Sequence, residues 1–205
     1  MDTGVALHPA EAAGLASPPD VERALVSEAQ AGRREAREEL ARRVRGPAYV
    51  LALQLVGNRD DALDVAQDAM LRLFAHLGRV APDRPLRPWL FAIVRNRARD
   101  LWRSRAARPE ESVDARPDLS AHLASRTTDP EQSTAQNQRA RRLWTAVGGL
   151  SPPHREILVL RDFHDLSYGE IAEVLDVPVG TVMSRLHRAR SALRERLEAE
   201  GWRHA

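Results

Sequence analysis

Apolar residues recur at spacings of three and four along nearly the whole chain, and no stretch alternates as a strand would. Residues 21–45 interleave Ala and Leu with Arg and Glu, which predicts one or two surface helices laced with ion pairs. Residues 49–56 continue as a more buried helix that ends near Gly57. Asn58 is placed to cap the next helix, with Asp61 at its third position. There Leu63, Ala66, Met70 and Phe74 form an apolar stripe, and Asp60, Asp61, Asp64 and Asp68 line the opposite side. Two prolines make residues 80–87 a loop, and Pro88 is expected to start a helix that is apolar in its first half and basic in its second. Periodicity lapses and a helix resumes near Asn137, ending at Gly148 and Gly149; Ser151 is expected to cap the one that Pro152 begins.

The last two predicted helices are the best defined. Ser167 and Glu170 have the spacing of a capping box, ahead of an apolar stripe of Ile171, Ala172 and Leu175. Asp176, Val177 and Pro178 form the turn, with Pro178 suited to the first position of the final helix. Val182, Leu186 and Ala189 face back toward the preceding helix, while Thr181, Ser184, Arg185, Arg188 and, at the edge, Arg190 point away. The fold class is therefore all-α: two small helical domains, residues 21–105 and 138–205, joined by a flexible linker over residues 106–137. That linker is acidic, with Glu110, Glu111, Asp114, Asp118, Asp129 and Glu131, and residues 1–20 read as a flexible tail.

Composition sharpens this picture in three ways. All 31 basic residues are arginine, the side chain suited to planar, bidentate contacts with phosphate, bases and carboxylates. A net charge of only +2 conceals their segregation into separate basic and acidic stretches. Cysteine is absent, which excludes disulfides, thiolate catalysis, cysteine zinc sites and direct thiol redox sensing. No apolar run approaches a membrane span and no basic–apolar signal pattern opens the chain, so a cytoplasmic location is expected. His122, His154, His164 and His187 are scattered without metal spacing, and no nucleophile constellation appears; no catalytic, metal or cofactor residue is assigned.

Three stretches carry the candidate chemistry. Residues 166–190 have the form of a helix-turn-helix, with Gly180 permitting close backbone approach and arginines free to bond guanine edges or phosphate. The alternative is an amphipathic helix pair with a solvated basic face. The helix after Pro88 carries Arg95, Arg97, Arg99, Arg103 and Arg105 with Trp89, Phe91 and Trp102 among them, a composition suited to a nucleic-acid backbone and stacked bases. Asn96 is a lone amide able to read a base edge. Tryptophan is mostly buried, so Trp89 and Trp102 are read first as core, and the arginines as the nucleic-acid face. The acidic side of residues 58–75 is either a solvated helix face or a surface for a basic partner.

The segment LSPPHREILVLRDFHDLSYGEIAEVLDVPVGTVMSRLHRAR resembles region 4 of bacterial sigma factors. DDALDVAQDAMLRLF and RPWLFAIVRNRARDLWRSR resemble the polymerase-binding and −10-engaging segments of region 2. Two such domains, without a third between them, resemble the extracytoplasmic-function (ECF) group over about residues 21–197. The resemblance implies a non-catalytic subunit that directs core RNA polymerase to promoters and assists strand opening. It implies that Asp61, Asp64, Gln67 and Asp68 dock on the clamp coiled coil of the largest subunit. Gly180, Thr181, Met183, Ser184, Arg185, Arg188 and Arg190 would read the −35 element while region 4 sits on the flap of the second-largest subunit. Trp89, Asn96, Arg99, Asp100 and Arg103 would engage the −10 element and capture a flipped base, and the acidic linker would thread the channel later taken by RNA. An anti-sigma partner is implied as well.

Two features depart from the pattern: Met183 stands where Lys or Arg is frequent, and region 2 has far fewer aromatics than a housekeeping sigma factor. The competing function is a helix-turn-helix regulator that binds duplex DNA without polymerase. It explains residues 166–190 but leaves the acidic and basic–aromatic helices without a role.

Overall fold

The computed structural model describes residues 19–81, 84–107, 130–199 and 201, and these residues contain no strand. Helix α1 (Pro19–Gln30) and helix α2 (Arg34–Val56) are followed by α3 (Arg59–Ala75) and α4 (Leu86–Ala106). Later in the chain come α5 (Pro130–Gly148), α6 (Pro152–Leu158), α7 (Tyr168–Leu175) and α8 (Val179–Ala199).

Several boundaries follow local rules. Gly57 closes α2 in the left-handed conformation at φ 79°, returning its N–H to the Leu53 carbonyl. The Asn58 side chain accepts the Asp60 and Asp61 N–H groups at 2.8 and 3.2 Å, as its position predicts. The capping box of Ser167 and Glu170 is complete, and α7 ends on Asp176 at φ 54°.

Elsewhere the structure corrects the expectation. Helix α4 starts at Leu86, not Pro88, because the Glu22 carboxylate of α1 accepts the Leu86 N–H at 2.7 Å and supplies a cap from 64 residues away. The Ser151 side chain makes no cap; its carbonyl instead accepts from His154 and Arg155. Pro178 lies one residue before α8, where its carbonyl accepts the Thr181 and Val182 N–H groups. Helix α1 begins at Pro19, inside the expected tail, and α5 begins at Pro130, inside the expected linker. The tail and linker expectations otherwise fall on residues 1–18 and 108–129, outside the described residues.

The buried face of α3 is Ala62, Val65, Ala66, Ala69 and Leu73. Leu63, expected in the apolar stripe, is instead exposed, because the stripe follows the small residues that let α3 lie close on α2 and α4. The first bundle is centred on Leu40, Leu51, Leu55, Leu73, Leu90 and Phe91, and the second on Ile157, Leu160, Ile171, Val182 and Leu186. The two cores are continuous: α2 packs on α6 and the turn after it, and α4 packs on α7.

Candidate nucleic-acid interface

Helix α8 buries Val182, Leu186 and Ala189 against the second bundle, as their spacing requires. Gly180, Met183, Ser184, Arg188 and Arg190 are exposed on its outer side. Ser184 donates its hydroxyl to the Thr181 carbonyl at 3.2 Å, and Arg190 is bonded to Asp162 at 2.5 Å. Thr181 and Arg185 are half-buried, and the flank that carries Arg185 faces the first domain.

There Arg185 lines a groove of about 800 Å³ between the two domains. Asn96, Arg99, Arg103 and Trp102 of α4 form the opposite wall, with Glu156 and Asp176 from the second domain. Three of the expected −10 residues and one of the expected −35 residues thus share a single cleft. Trp89 is packed partly buried against the core, away from the groove. Asp100 is held by Arg97 and Arg103 of its own helix, at 3.3 and 2.5 Å. Trp102, read first as core, is half-buried at the groove wall, with the Arg155 guanidinium 5.9 Å from its ring centroid.

The acidic side of α3 divides in two. Asp61 pairs with Arg105 at 2.6 Å, and Asp68 pairs with Arg97, so these acids fasten α3 to the basic half of α4. Asp64 and Gln67 remain exposed, and Leu63 and Leu71 join them at 48% and 64% exposure. The exposed surface is therefore mixed apolar and acidic.

Polar contacts hold the domains together. Arg95 of α4 donates to Glu156 of α6 at 3.2 Å, and both residues are almost completely buried. Burial pushes the Glu156 carboxyl above its ordinary range, while the Arg95 charge opposes that shift. Arg155 donates to the Leu55 carbonyl at 2.7 Å and also to the Gly148 carbonyl, so one cation serves the C-terminal ends of α2 and α5. Burial lowers its pKa.

After α6 the backbone widens into a π-helical turn over Val159–Phe163, closed by the His164 N–H on the Val159 carbonyl, and Asp165 follows at φ 55°. This break in the helix delivers the His164 ring into the domain interface. Its Nε2 lies 2.7 Å from Gln54 Oε1, its Nδ1 lies 3.4 Å from an Arg87 guanidinium nitrogen, and Phe91 meets it edge-on at 4.7 Å. With Arg87 donating to Nδ1, the tautomer that satisfies both contacts carries its proton on Nε2. Burial, then the Arg87 charge, pushes the imidazole down to about 3.

Of the interface residues, Arg95 was expected on the nucleic-acid face and is instead buried in its ion pair with Glu156, whereas Gln54, Arg155, Glu156 and His164 escaped assignment from the sequence. One signal was available for two of them, since Arg155 and Glu156 are adjacent charges heading the apolar run Ile157–Leu160, where burial is expected. No group of acidic or histidine residues suited to a metal ion occurs among the described residues, and none of their helices is long and apolar enough to cross a membrane.

Comparison with known proteins matches both halves. The Sigma-70 region 2 family matches residues 40–108, and the Sigma-70, region 4 family matches residues 140–193. The chain is 34% identical over 190 residues to the RNA polymerase sigma factor CnrH of Cupriavidus metallidurans, covering 90% of this chain and 98% of that protein. It is 30% identical over 155 residues to the ECF RNA polymerase sigma factor SigW of Bacillus subtilis, covering 73% and 82%. The solved structure of CnrH in complex with the cytosolic domain of CnrY superposes with a TM-score of 0.63 at 31% identity, over 88% of this chain and 99% of that one. The sigma factor RpoE of Bartonella quintana, solved with the anti-sigma factor NepR, shares the fold with a TM-score of 0.64 at 24% identity, over 78% and 96%. A helix-turn-helix regulator acting alone would account for the second half only. With both sigma regions in order on one chain, this protein belongs to the ECF group of RNA polymerase sigma factors, which direct transcription initiation to promoters.

Proposed function

We propose that the two domains divide promoter recognition between them: residues 21–105 bind core polymerase and the −10 element, and residues 138–205 bind the −35 element. The observation that carries this is the outer side of α8, which leaves Gly180, Met183, Ser184 and Arg188 exposed while its apolar side is sealed. Such a helix enters a major groove with its first turns against base edges. Asn96, Arg99 and Arg103 supply an amide and two cations for the −10 strand, and the energy of capturing a flipped base comes from such contacts.

Two further contacts follow from membership of the group. The exposed face of α3, with Leu63, Asp64, Gln67 and Leu71, docks on the clamp coiled coil of the largest polymerase subunit. The second domain sits on the flap of the second-largest subunit. CnrH is solved with a second protein, the cytosolic domain of CnrY, and we infer an anti-sigma partner for this chain. The protein works as a non-catalytic subunit in the compartment of the polymerase, the cytoplasm.

The −10 and −35 elements are roughly 25 base pairs apart, roughly 85 Å of duplex at 3.4 Å per base pair. Arg185 faces Asn96 and Arg99 across one groove, so both elements are bound only after the domains separate. Run-off transcription with purified core polymerase on fragments of the source genome tests the whole reading. Discrete new transcripts that depend on this protein are expected. Duplex binding by the protein alone, with no transcripts, would instead favour a polymerase-independent regulator.

A further inference from the structure

Five large apolar side chains are exposed among the described residues, and two of them, Val179 and Met183, stand one turn apart at the start of α8. Met183 is 52% exposed and Val179 42%. Neither is needed to seal the bundle, since Val182 and Leu186 do so. They form an apolar patch at the edge of a polar, basic face that exposes Ser184, His187 and Arg188.

We propose that Met183, backed by Val179, reads the C5-methyl group of a thymine in the −35 element and makes that base a specificity determinant for this chain. The inference rests on the −35 role argued above for α8. The cation of Arg188 brings the face to the phosphate backbone, which supplies the charge complementarity. A thioether has no hydrogen to donate and accepts only weakly, so it gains little from phosphate or from the polar edges of guanine, adenine and cytosine. The thymine methyl is the apolar group that the major groove presents. Methionine is unbranched and adapts its shape to such a contact. The Ser184 hydroxyl hydrogen is committed to the Thr181 carbonyl, which leaves that oxygen as an acceptor beside the patch. The first turns of α8 therefore present an apolar group and an acceptor, and the cation of Arg188 follows one turn on.

The test uses the full chain with the core polymerase of its source organism. Promoters with a randomised −35 region are selected by transcription, and each thymine of the selected element is then replaced singly by deoxyuridine. That base pairs identically but lacks the methyl group. One replacement is expected to lower promoter binding about fourfold, the effect of one buried methyl. The same replacement should have no effect with Met183→Ala, and Met183→Arg should shift the preferred base there from thymine to guanine. The proposal is overturned if every replacement is neutral, or if Met183→Ala responds to deoxyuridine as fully as the unaltered protein does. Failure to enrich any −35 sequence would overturn the role of α8 itself, and it is a different result from enrichment without sensitivity to the methyl group.

Discussion

Side chains that look equivalent in sequence do different work here, and surroundings decide which. Arg185 and Arg188 lie on the same helix, yet Arg185 turns into the groove between the domains while Arg188 is exposed. Of these two, Arg188 is thus the cation exposed to duplex DNA in this arrangement. Arg188→Ala should weaken −35 binding by about 1–3 kcal/mol if its contact is bidentate. Filter binding on a selected promoter measures this, and association with core polymerase should be unchanged. Asp100 and Arg103 form an exposed pair whose net contribution is about 0–1 kcal/mol. Arg95 and Glu156 form a buried one, and removing one partner there strands a charge at about 3–5 kcal/mol. Glu156→Ala should therefore lower the thermal midpoint substantially, whereas Arg95→Met combined with Glu156→Leu should recover most of the loss. A double-mutant cycle followed by calorimetry reads that coupling.

At the scale of elements, α3 shows how a helix serves two surfaces. Its acids at Asp61 and Asp68 face α4 and are spent on Arg105 and Arg97. The side left for a partner carries Leu63, Asp64, Gln67 and Leu71. Asp64→Ala with Leu71→Ala should weaken association with core polymerase while leaving duplex binding intact, as measured by co-migration with the polymerase and by filter binding. Removing Asp68 instead would confuse docking with the loss of an internal ion pair. The outward side of α3 was only partly legible in the sequence. Its helical period was clear, but Leu63 was assigned to the core because nothing local distinguishes it from Val65 or Leu73. The turn after α6 was not legible at all. The π-helical widening spans Val159, Leu160, Arg161, Asp162 and Phe163, whose sequence carries no helix-breaking residue to announce it, and it leads directly into His164 at the interface.

At the scale of the whole molecule, the domain packing is expected to weaken in acid. His164 is neutral between Gln54 of α2 and Arg87 of α4, with Asp165 and Glu170 acting on Arg87. Its pKa is about 3 in this packing, against an ordinary 6.5 once the domains part and the ring is solvated. The packed form binds fewer protons, so its advantage is complete above about pH 6.5. It falls roughly tenfold for each pH unit below that, until the pH nears 3. Energy transfer between dyes on the two domains should decrease from pH 7 to pH 5. In His164→Leu that dependence should largely disappear, and an unchanged slope would assign the effect to other groups.

The helices, the caps at Asn58, Gly57 and Ser167, and the helix-turn-helix were determined by the sequence alone, because a 3.6-residue period and these capping residues act within a few residues of themselves, whereas the Glu22 cap on α4 was not. The separation into acidic and basic stretches was equally plain. Which of those charges remain available to a partner was decided only by the tertiary structure. Asp61 finds Arg105 across 44 residues, Arg95 finds Glu156 across 61, and Gln54 finds His164 across 110. Such pairings depend on how helices pack, and a local pattern carries no record of a partner so distant along the chain.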